Sequence, residues 1–377
     1  MVEIIHLEFP LSKMDESEDP SEEEKNRDMQ VVWDGNGFKK MENLKILIIR
    51  NGYFSEGPKY LPNSLRMMEW CRYPSTCFPS DFHPKKLSIL KLPKSLFDSF
   101  RLDNLSKKLN VIKVLKFDDS KFLKEIPNVS NLVNLQELSF RGCTNLTRIH
   151  SSVGNHGKLE IINAENCVNL RTLPSMNLPS LKILLLSYCF RLEKFPEIVG
   201  KMENVEMLCL KRTSIKDLPL SFQNLSGLLN LFLGSNKIER IPSVISMMPK
   251  LSRFDIDGIN CHDRLVPQEE KEGVEGMVSS SSVRFISLTY TKLSDDLLAQ
   301  QLPWFPNLKT LDLTGSDMTI IPESIQEFQL LYWLKVDYCK HLREFRGVPP
   351  NLQNFSALEC NSLTPSSASV LLCQEVQ

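Results

Sequence analysis

The sequence predicts an α/β leucine-rich-repeat solenoid, a curved horseshoe with short parallel strands on its concave face and an irregular or short-helical convex side. Three observations predict this fold. The pattern LxxLxL recurs along most of the chain, successive copies lie about 23 residues apart, and a small residue usually follows at the ninth position. A period of 20–29 residues with this pattern is the sequence signature of leucine-rich repeats.

The repeat units are counted from their first apolar residue. Fourteen units begin at Leu44, Leu65, Leu87, Ile112, Leu135, Leu159, Leu181, Val205, Leu228, Leu251, Val283, Leu308, Leu331 and Leu352. Apolar residues two apart on a strand share one face, so the paired leucines of each unit point into the solenoid. One unit cannot bury its leucines alone, and stacked neighbours bury them against each other.

The ninth position is the corner at which the chain leaves the strand. Five units carry cysteine there, at Cys143, Cys167, Cys189, Cys339 and Cys360. Small side chains fit the inside of such a turn, and a thiol or hydroxyl can bond to neighbouring backbone groups. Because the repeat period places these cysteines, we interpret them as structural corners and not as a metal or redox site.

Three segments are expected along the chain. Residues 1–43 would form an N-terminal strand and an acidic arm, 44–364 the solenoid, and 365–377 the stub of a truncated post-repeat region. The acidic arm holds eight Asp and Glu between Asp15 and Asp28. One interval of 32 residues predicts a loop insertion at 260–282, rich in Glu, Gly and Ser, for which a solvated loop without a role is the simpler interpretation.

Composition excludes several classes of protein. The formal net charge of −1 favours neither a nucleic acid nor an anionic membrane as partner. The opening MVEIIHLEFPLSK is not typical of a secretory signal, and no apolar run is long enough to span a membrane. With its ten cysteines interpreted as reduced thiols, the chain is expected in the cytoplasm, with the nucleus as a further compartment.

The sequence lacks the motifs of common enzymes. It contains no HExxH, no GxSxG and no cysteine pairs with zinc spacing. The run Cys261-His262-Asp263 lies in the predicted loop, where adjacent side chains cannot act as nucleophile and base on one another. We therefore expect no catalytic site, no metal and no cofactor.

Large side chains accumulate at exposed strand positions in the later units. The predicted protein-binding residues of the concave face are Leu185, Tyr188, Arg212, Phe232, Arg253, Tyr290, Tyr332, Trp333, Lys335 and Tyr338. Exposed aromatic residues on one surface are typical of protein interfaces, since they bury much area at a small loss of entropy. Core packing is the alternative for residues at the third position, namely Met207, Phe285 and Trp333.

Four segments carry a more specific signal than the repeat itself. They are WDGNGFKKMENLKILIIRNG (33–52), YLPNSLRMMEWCRYPSTCFPSDFHPKKLSILKLPKS (60–95), FLKEIPNVSNLVNLQELSFRGCTNLTRIHSSVG (122–154) and VPPNLQNFSALECNSLT (348–364). Together they make the chain resemble the leucine-rich-repeat region of plant disease-resistance proteins of the TIR–nucleotide-binding–leucine-rich-repeat class. The resemblance covers nearly the whole chain and implies a part of an intracellular immune receptor.

The sequence departs from this class in what it lacks. Members carry an NAD-cleaving TIR domain and an ADP- or ATP-binding module, and no GxxxxGK[ST] motif occurs here. The post-repeat β-domain of the class is missing as well. We therefore expect a sensor fragment or a truncated gene product that has neither TIR nor nucleotide-binding activity of its own.

A basic stretch from Lys85 to Lys124 holds eleven Lys or Arg against four Asp. In the resembling receptors, early repeats pack near the nucleotide-binding module and help to hold it inactive. The predicted intramolecular docking patch consists of Lys91, Lys94, Lys113 and Lys116. A solvated run of charge is the alternative interpretation.

The favoured function is a non-catalytic sensor of a plant immune receptor. It would bind a pathogen effector or a guarded host protein, or hold a nucleotide-binding domain inactive. Two alternatives stay open. Five N-glycosylation sequons agree with an extracellular receptor ectodomain, although the repeat itself generates N-L-S and N-L-T. A scaffold or ubiquitin-ligase substrate adaptor would need a recruitment module, and no F-box-like segment precedes the repeats.

Overall fold

The computed structural model describes residues 2–10, 30–98, 111–234, 244–245, 248–258, 282–292, 295, 299 and 302–367. The predicted acidic arm (15–28) lies outside these described residues, as does the predicted insertion apart from Ser282. Of the predicted C-terminal stub, 365–367 are described. The chain divides into two compact units, residues 1–192 and 193–377.

The first unit is built from short strands. They are β1 (Ile4–Glu8), β2 (Gln30–Val31), β3 (Ile46–Arg50), β4 (Tyr53–Phe54), β5 (Met67–Trp70), β6 (Ile89–Lys91), β7 (Val114–Lys116), β8 (Glu125–Ile126), β9 (Glu137–Ser139), β10 (Arg148–Ile149), β11 (Ile161–Asn163) and β12 (Ile183–Leu185). The main sheet is parallel, with the order β1-β3-β5-β6-β7-β9-β11-β12. Two small parallel sheets, β2–β4 and β8–β10, and a 3-10 helix at Ser151–Asn155 lie in the segments that follow the main strands.

The second unit repeats this plan. Its strands are β13 (Met207–Cys209), β14 (Asn230–Phe232), β15 (Arg253–Asp257), β16 (Phe285–Thr289), β17 (Thr310–Asp312), β18 (Ile320–Ile321), β19 (Trp333–Lys335), β20 (Glu344–Phe345) and β21 (Asn354–Ser356). The main sheet runs β13-β14-β15-β16-β17-β19-β21, all parallel, and β18 pairs with β20. Short 3-10 helices occupy Leu220–Asn224, Leu302–Trp304 and Glu323–Glu327.

The repeat pattern accounts for the sheets and for the core. A main-sheet strand begins at the third position of all fourteen predicted repeats. In the first thirteen repeats, the residues at the first, fourth and sixth positions are buried. In the repeat that begins at Leu352 they are half-buried. Full burial of an aliphatic side chain stabilises a fold by about 1.5–3 kcal/mol. The predicted leucine-rich-repeat solenoid is confirmed.

The ninth-position cysteines form a ladder of thiols along the turns. Each Sγ donates a hydrogen bond to a carbonyl of the preceding repeat: Cys143 to Phe117 at 3.2 Å, Cys167 to Phe140 at 3.1 Å, Cys189 to Ala164 at 3.2 Å, Cys339 to Leu313 at 3.2 Å and Cys360 to Val336 at 2.9 Å. Burial raises the pKa of Cys143, Cys189 and Cys339 to about 12, so these thiols stay protonated. The interpretation as structural corners is confirmed.

Serine occupies the ninth position in other repeats and makes the same hydrogen bond. The hydroxyl of Ser120 donates to the carbonyl of Leu92 at 3.2 Å, and that of Ser316 to Leu288 at 2.8 Å. A buried carbonyl without a partner would cost about 1–3 kcal/mol, so the ninth side chain completes the hydrogen bonding that the strands leave open.

Aromatic residues of the two early family-like segments pack together with Phe54 in the first unit. The ring of Trp33 lies 5.7 Å from Phe38, 5.2 Å from Phe54 and 5.9 Å from Trp70, measured between centroids. Tyr73 continues the cluster beside Trp70 at 5.3 Å. The contacts of Trp33 with Phe38 and Phe54, and of Trp70 with Tyr73, are edge to face, and such contacts add to the stabilisation that burial supplies.

Candidate protein-binding surface

In each unit, the third, fifth and seventh positions of the repeats lie on one face of the main sheet, because the fourth and sixth positions point into the core. We call this face the strand surface of that unit. The eighth position adjoins it where the chain turns. Of the ten predicted binding residues, Leu185 and Tyr188 belong to the first unit and the other eight to the second.

Paired charges cover part of the first unit's strand surface. Glu69 on β5 accepts a hydrogen bond from Arg50 Nε at 2.6 Å and lies 3.5 Å from Lys91 Nζ. Lys116 forms an ion pair with Glu137 on the next strand. These contacts join β3 to β6 and β7 to β9 through their side chains.

The pKa of Glu69 lies below its usual value. Desolvation alone would raise this pKa, but the hydrogen bond and charge of Arg50, with the charge of Lys91, outweigh it. Glu69 is therefore ionised throughout the physiological range and holds two cations in place.

The four lysines of the predicted docking patch do not share one environment. Lys91 and Lys116 are register partners on adjacent strands, both half-buried and each beside a glutamate. Lys113 is exposed at the second position, before β7 begins. Lys94 is exposed at the eighth position of the preceding repeat, so these two lysines flank the strands at opposite ends.

A row of aliphatic side chains that was not predicted from the sequence lies on the first unit's strand surface. The third position is half-buried and apolar in six of its repeats, at Ile46, Met67, Ile89, Val114, Ile161 and Ile183. An apolar residue immediately before the fourth-position leucine is the signal that could have found them. They give this surface an apolar stripe beside its ion pairs.

A cationic centre lies on the second unit's strand surface. The guanidinium of Arg253 is 4.1 Å from the Phe285 ring centroid and 5.5 Å from that of Phe232. The Nζ of Lys211 is 5.6 Å from the Phe232 ring. Contact with two aromatic faces fixes the orientation of the guanidinium and leaves it partly exposed to a partner. Phe285, expected as either packing or interface, is half-buried and packs against Arg253.

Asp255 lies beneath this centre. Its carboxylate is 3.5 Å from Lys211 Nζ and 3.7 Å from an Arg253 amino group. Burial raises the pKa of Asp255, because desolvation outweighs the charges of Lys211 and Arg253. The ionised carboxylate therefore lowers stability near neutral pH, because Lys211 and Arg253 compensate its desolvation only in part.

Large aromatic side chains lie exposed in the later repeats of the second unit. The exposed fractions are 61% for Tyr290, 37% for Tyr332, 45% for Trp333 and 48% for Tyr338. The Tyr290 ring covers Gly315 of the next repeat, where a Cβ atom would lie 2.4 Å from the ring. The absence of a side chain at Gly315 therefore leaves room for this ring.

The remaining predicted residues have mixed surroundings. Lys335 lies 3.5 Å from the buried Asp337 carboxylate, so its charge is partly compensated. Leu185 is half-buried on β12. Tyr188 is exposed and meets Phe190 edge to face at 6.3 Å. Arg212 is exposed at an eighth position, where its amide donates to Gly234.

Within the described ranges, no group of three or more His, Cys, Asp or Glu is arranged to hold a metal ion. In the same part of the chain, none of the helices has the length and apolar character required to cross a bilayer.

A family model that matches half of the chain identifies its family. Residues 177–368 match the family model of leucine-rich repeats from disease resistance protein RPS4B-like proteins. The chain belongs to this family. The resemblance to plant disease-resistance proteins that its sequence motifs carry is thereby confirmed.

Individual relatives agree with this assignment to the RPS4B-like family. The chain is 29% identical over 349 residues to disease resistance protein RPS4B of Arabidopsis thaliana, covering 89% of this chain and 26% of that protein. It is 27% identical over 360 residues to TMV resistance protein N of Nicotiana glutinosa, covering 83% and 31%. The chain thus spans less than a third of the length of these curated relatives.

Among solved structures, this RPS4B-like chain is similar to the functional domain of InlJ from Listeria monocytogenes, which includes a cysteine ladder. The TM-score is 0.54 at 13% sequence identity, over 86% of this chain and 68% of that one. At this identity the likeness concerns the solenoid fold alone.

Proposed function

We propose that this chain is the non-catalytic, protein-binding sensor region of a plant intracellular immune receptor. The observation that carries the proposal is the second unit's strand surface, where exposed Trp333 accompanies an arginine that contacts two aromatic rings, with exposed Tyr290 at the adjoining turn. Tryptophan, tyrosine and arginine dominate the energetics of protein interfaces. Leucine-rich-repeat solenoids bind proteins on such surfaces, and membership of the RPS4B-like family supplies the immune context.

In this proposal the partner is a pathogen effector or a host protein that an effector modifies. The aromatic residues would supply buried area, and Arg253 would pair with a carboxylate of the partner. No nucleic acid or membrane takes part, and the site of action is the cytoplasm or the nucleus.

Substitutions in a full-length receptor that contains this chain test the role of the surface. Trp333→Ala and Arg253→Ala should each abolish or strongly reduce the pathogen-triggered response at unchanged protein level. Leu220→Ala is the matched control, since Leu220 is 82% exposed on a 3-10 helix of the same unit away from the strands. An undiminished response in both strand-surface variants would reject the proposal.

We further propose that the early repeats contact a nucleotide-binding module of the receptor. Lys91, Lys94, Lys113 and Lys116 would supply the docking patch, with Lys91 and Lys116 at its centre. Reversal of all four charges to Glu should raise the resting activity of the full-length receptor. Unchanged resting activity would discard the docking role and leave the sensor proposal intact.

A further inference from the structure

A cavity of about 550 Å³ opens on the first unit at the N-terminal ends of β3, β5 and β6. Its lining comes from Asn43 and from the two successive repeats that begin at Leu44 and Leu65. Lys45 and Arg66 each follow the first residue of their repeat, and Lys85 and Lys86 precede the next one. The cavity is therefore built into the stacking of the repeats, and it lies apart from the strand surface.

The charge of this cavity has one sign. Four cations, Lys45, Arg66, Lys85 and Lys86, line it together with neutral side chains and His83, and no carboxylate does. Lys45 is paired with Glu3 at 2.5 Å. Among the described residues, the other three have no carboxylate within ion-pair distance. Converging like charges lower the stability of the empty cavity and attract anions.

Hydrogen bonds hold the walls of the cavity in place. The Ser64 hydroxyl donates to the carbonyl of Leu44 at 2.7 Å. Asn63 accepts from the amide of His83 at 2.5 Å and donates to the carbonyl of Asp81 at 3.1 Å, so it fixes the segment that carries Lys85 and Lys86. A binding site whose walls are already ordered loses little entropy when a ligand arrives.

We infer that this cavity binds a small molecule that carries two or more closely spaced phosphate groups. Arginine matches phosphate oxygens with two parallel hydrogen bonds, and lysine adds compact positive charge. The volume falls in the range of small-molecule sites and exceeds what one phosphate would fill. A concave site of this size suits a small polyanion better than the flatter surface of a folded protein. The inference is independent of the proposed function, since it uses none of the strand-surface residues.

The test is calorimetric titration of the full chain with inorganic tripolyphosphate at constant ionic strength, with orthophosphate in parallel. Tripolyphosphate should bind at least tenfold more tightly than orthophosphate. Arg66→Gln, Lys85→Gln and Lys86→Gln should each weaken its binding about tenfold, the usual effect of removing one charged hydrogen bond. Lys121→Gln, which removes an exposed lysine outside the cavity, should leave the affinity unchanged.

Thermal unfolding without ligand distinguishes a variant that loses affinity for the ligand from one that fails to fold. Each cavity variant should unfold at the same temperature as the wild type or at a higher one, because repulsion among the cations is relieved. Equal affinity for tripolyphosphate in the wild type and in Lys85→Gln would overturn the inference. So would an equal loss in Lys121→Gln, which would indicate general charge attraction. Binding of a phosphoserine peptide without binding of tripolyphosphate would overturn it in favour of a protein ligand.

Discussion

At the scale of single residues, the eighth position of the repeat imposes a left-handed backbone. Among the residues that the structure describes, ten non-glycine residues have positive φ, and every one occupies this position. Asparagine tolerates this conformation, whereas a bulky residue there is a true outlier. Three of the ten are tyrosines, at Tyr188, Tyr290 and Tyr338, and all three are exposed. The conformation belongs to the turn of the repeat, since the other seven residues adopt it with different side chains.

The strain at the eighth position leads to a prediction about stability. Tyr338→Asn should raise the free energy of unfolding by about 1 kcal/mol, because asparagine adopts a left-handed backbone at lower cost. Urea denaturation followed by circular dichroism measures this change. Tyr332→Asn is the matched control, since Tyr332 is a similarly exposed tyrosine of the same repeat without positive φ. Tyr332→Asn should give no gain, and an equal gain in both variants would contradict the explanation.

At the scale of strands and turns, the sequence predicts the backbone better than the surface. The repeat places every main-sheet strand except β1, and it places the buried thiols, because burial and turn geometry depend on local spacing. It does not predict that Lys91 and Lys116 each lie beside a glutamate, since those contacts join repeats more than twenty residues apart. Nor does it predict the cation–π contacts of Arg253, which depend on where the Phe232 and Phe285 rings lie on the neighbouring strands.

Glu69 shows how one side chain joins three strands, and its effect should depend on pH. Glu69→Gln should lower the free energy of unfolding at pH 7 by about 1–2 kcal/mol, because two cations lose their carboxylate. The folded-state pKa of Glu69 is depressed, so its stabilisation is present above the unfolded pKa and is lost as pH falls through the folded one.

The measurement for Glu69 is the difference in stability between wild type and variant from pH 7 down to pH 3. The difference should shrink steadily in the acid range. Glu160→Gln serves as the control, since Glu160 contacts one cation, Lys182, at 2.7 Å and is more exposed. Its loss should stay below about 1 kcal/mol. A difference for Glu69→Gln that is constant with pH would contradict the ion-pair explanation.

At the scale of the whole molecule, stability is a sum over repeats and the contacts between neighbours. A repeat inside a sheet has a neighbour on each side, whereas β21 ends the main sheet of the described second unit. Leu135 and Leu352 hold the same first position in an internal and in this final repeat. Leu135 is fully buried and Leu352 only half-buried.

This difference predicts unequal effects of one substitution. Leu135→Ala should lower the free energy of unfolding by about 3 kcal/mol, through lost burial and the cavity left between two neighbours. Leu352→Ala should cost about 1 kcal/mol, because its side chain has less surface to lose and the final repeat can relax. Hydrogen exchange would locate the effect: Leu135→Ala should accelerate exchange in β7, β9 and β11 together, and Leu352→Ala in β21 alone. Equal losses in the two variants would show that the repeats do not stabilise one another through their neighbours.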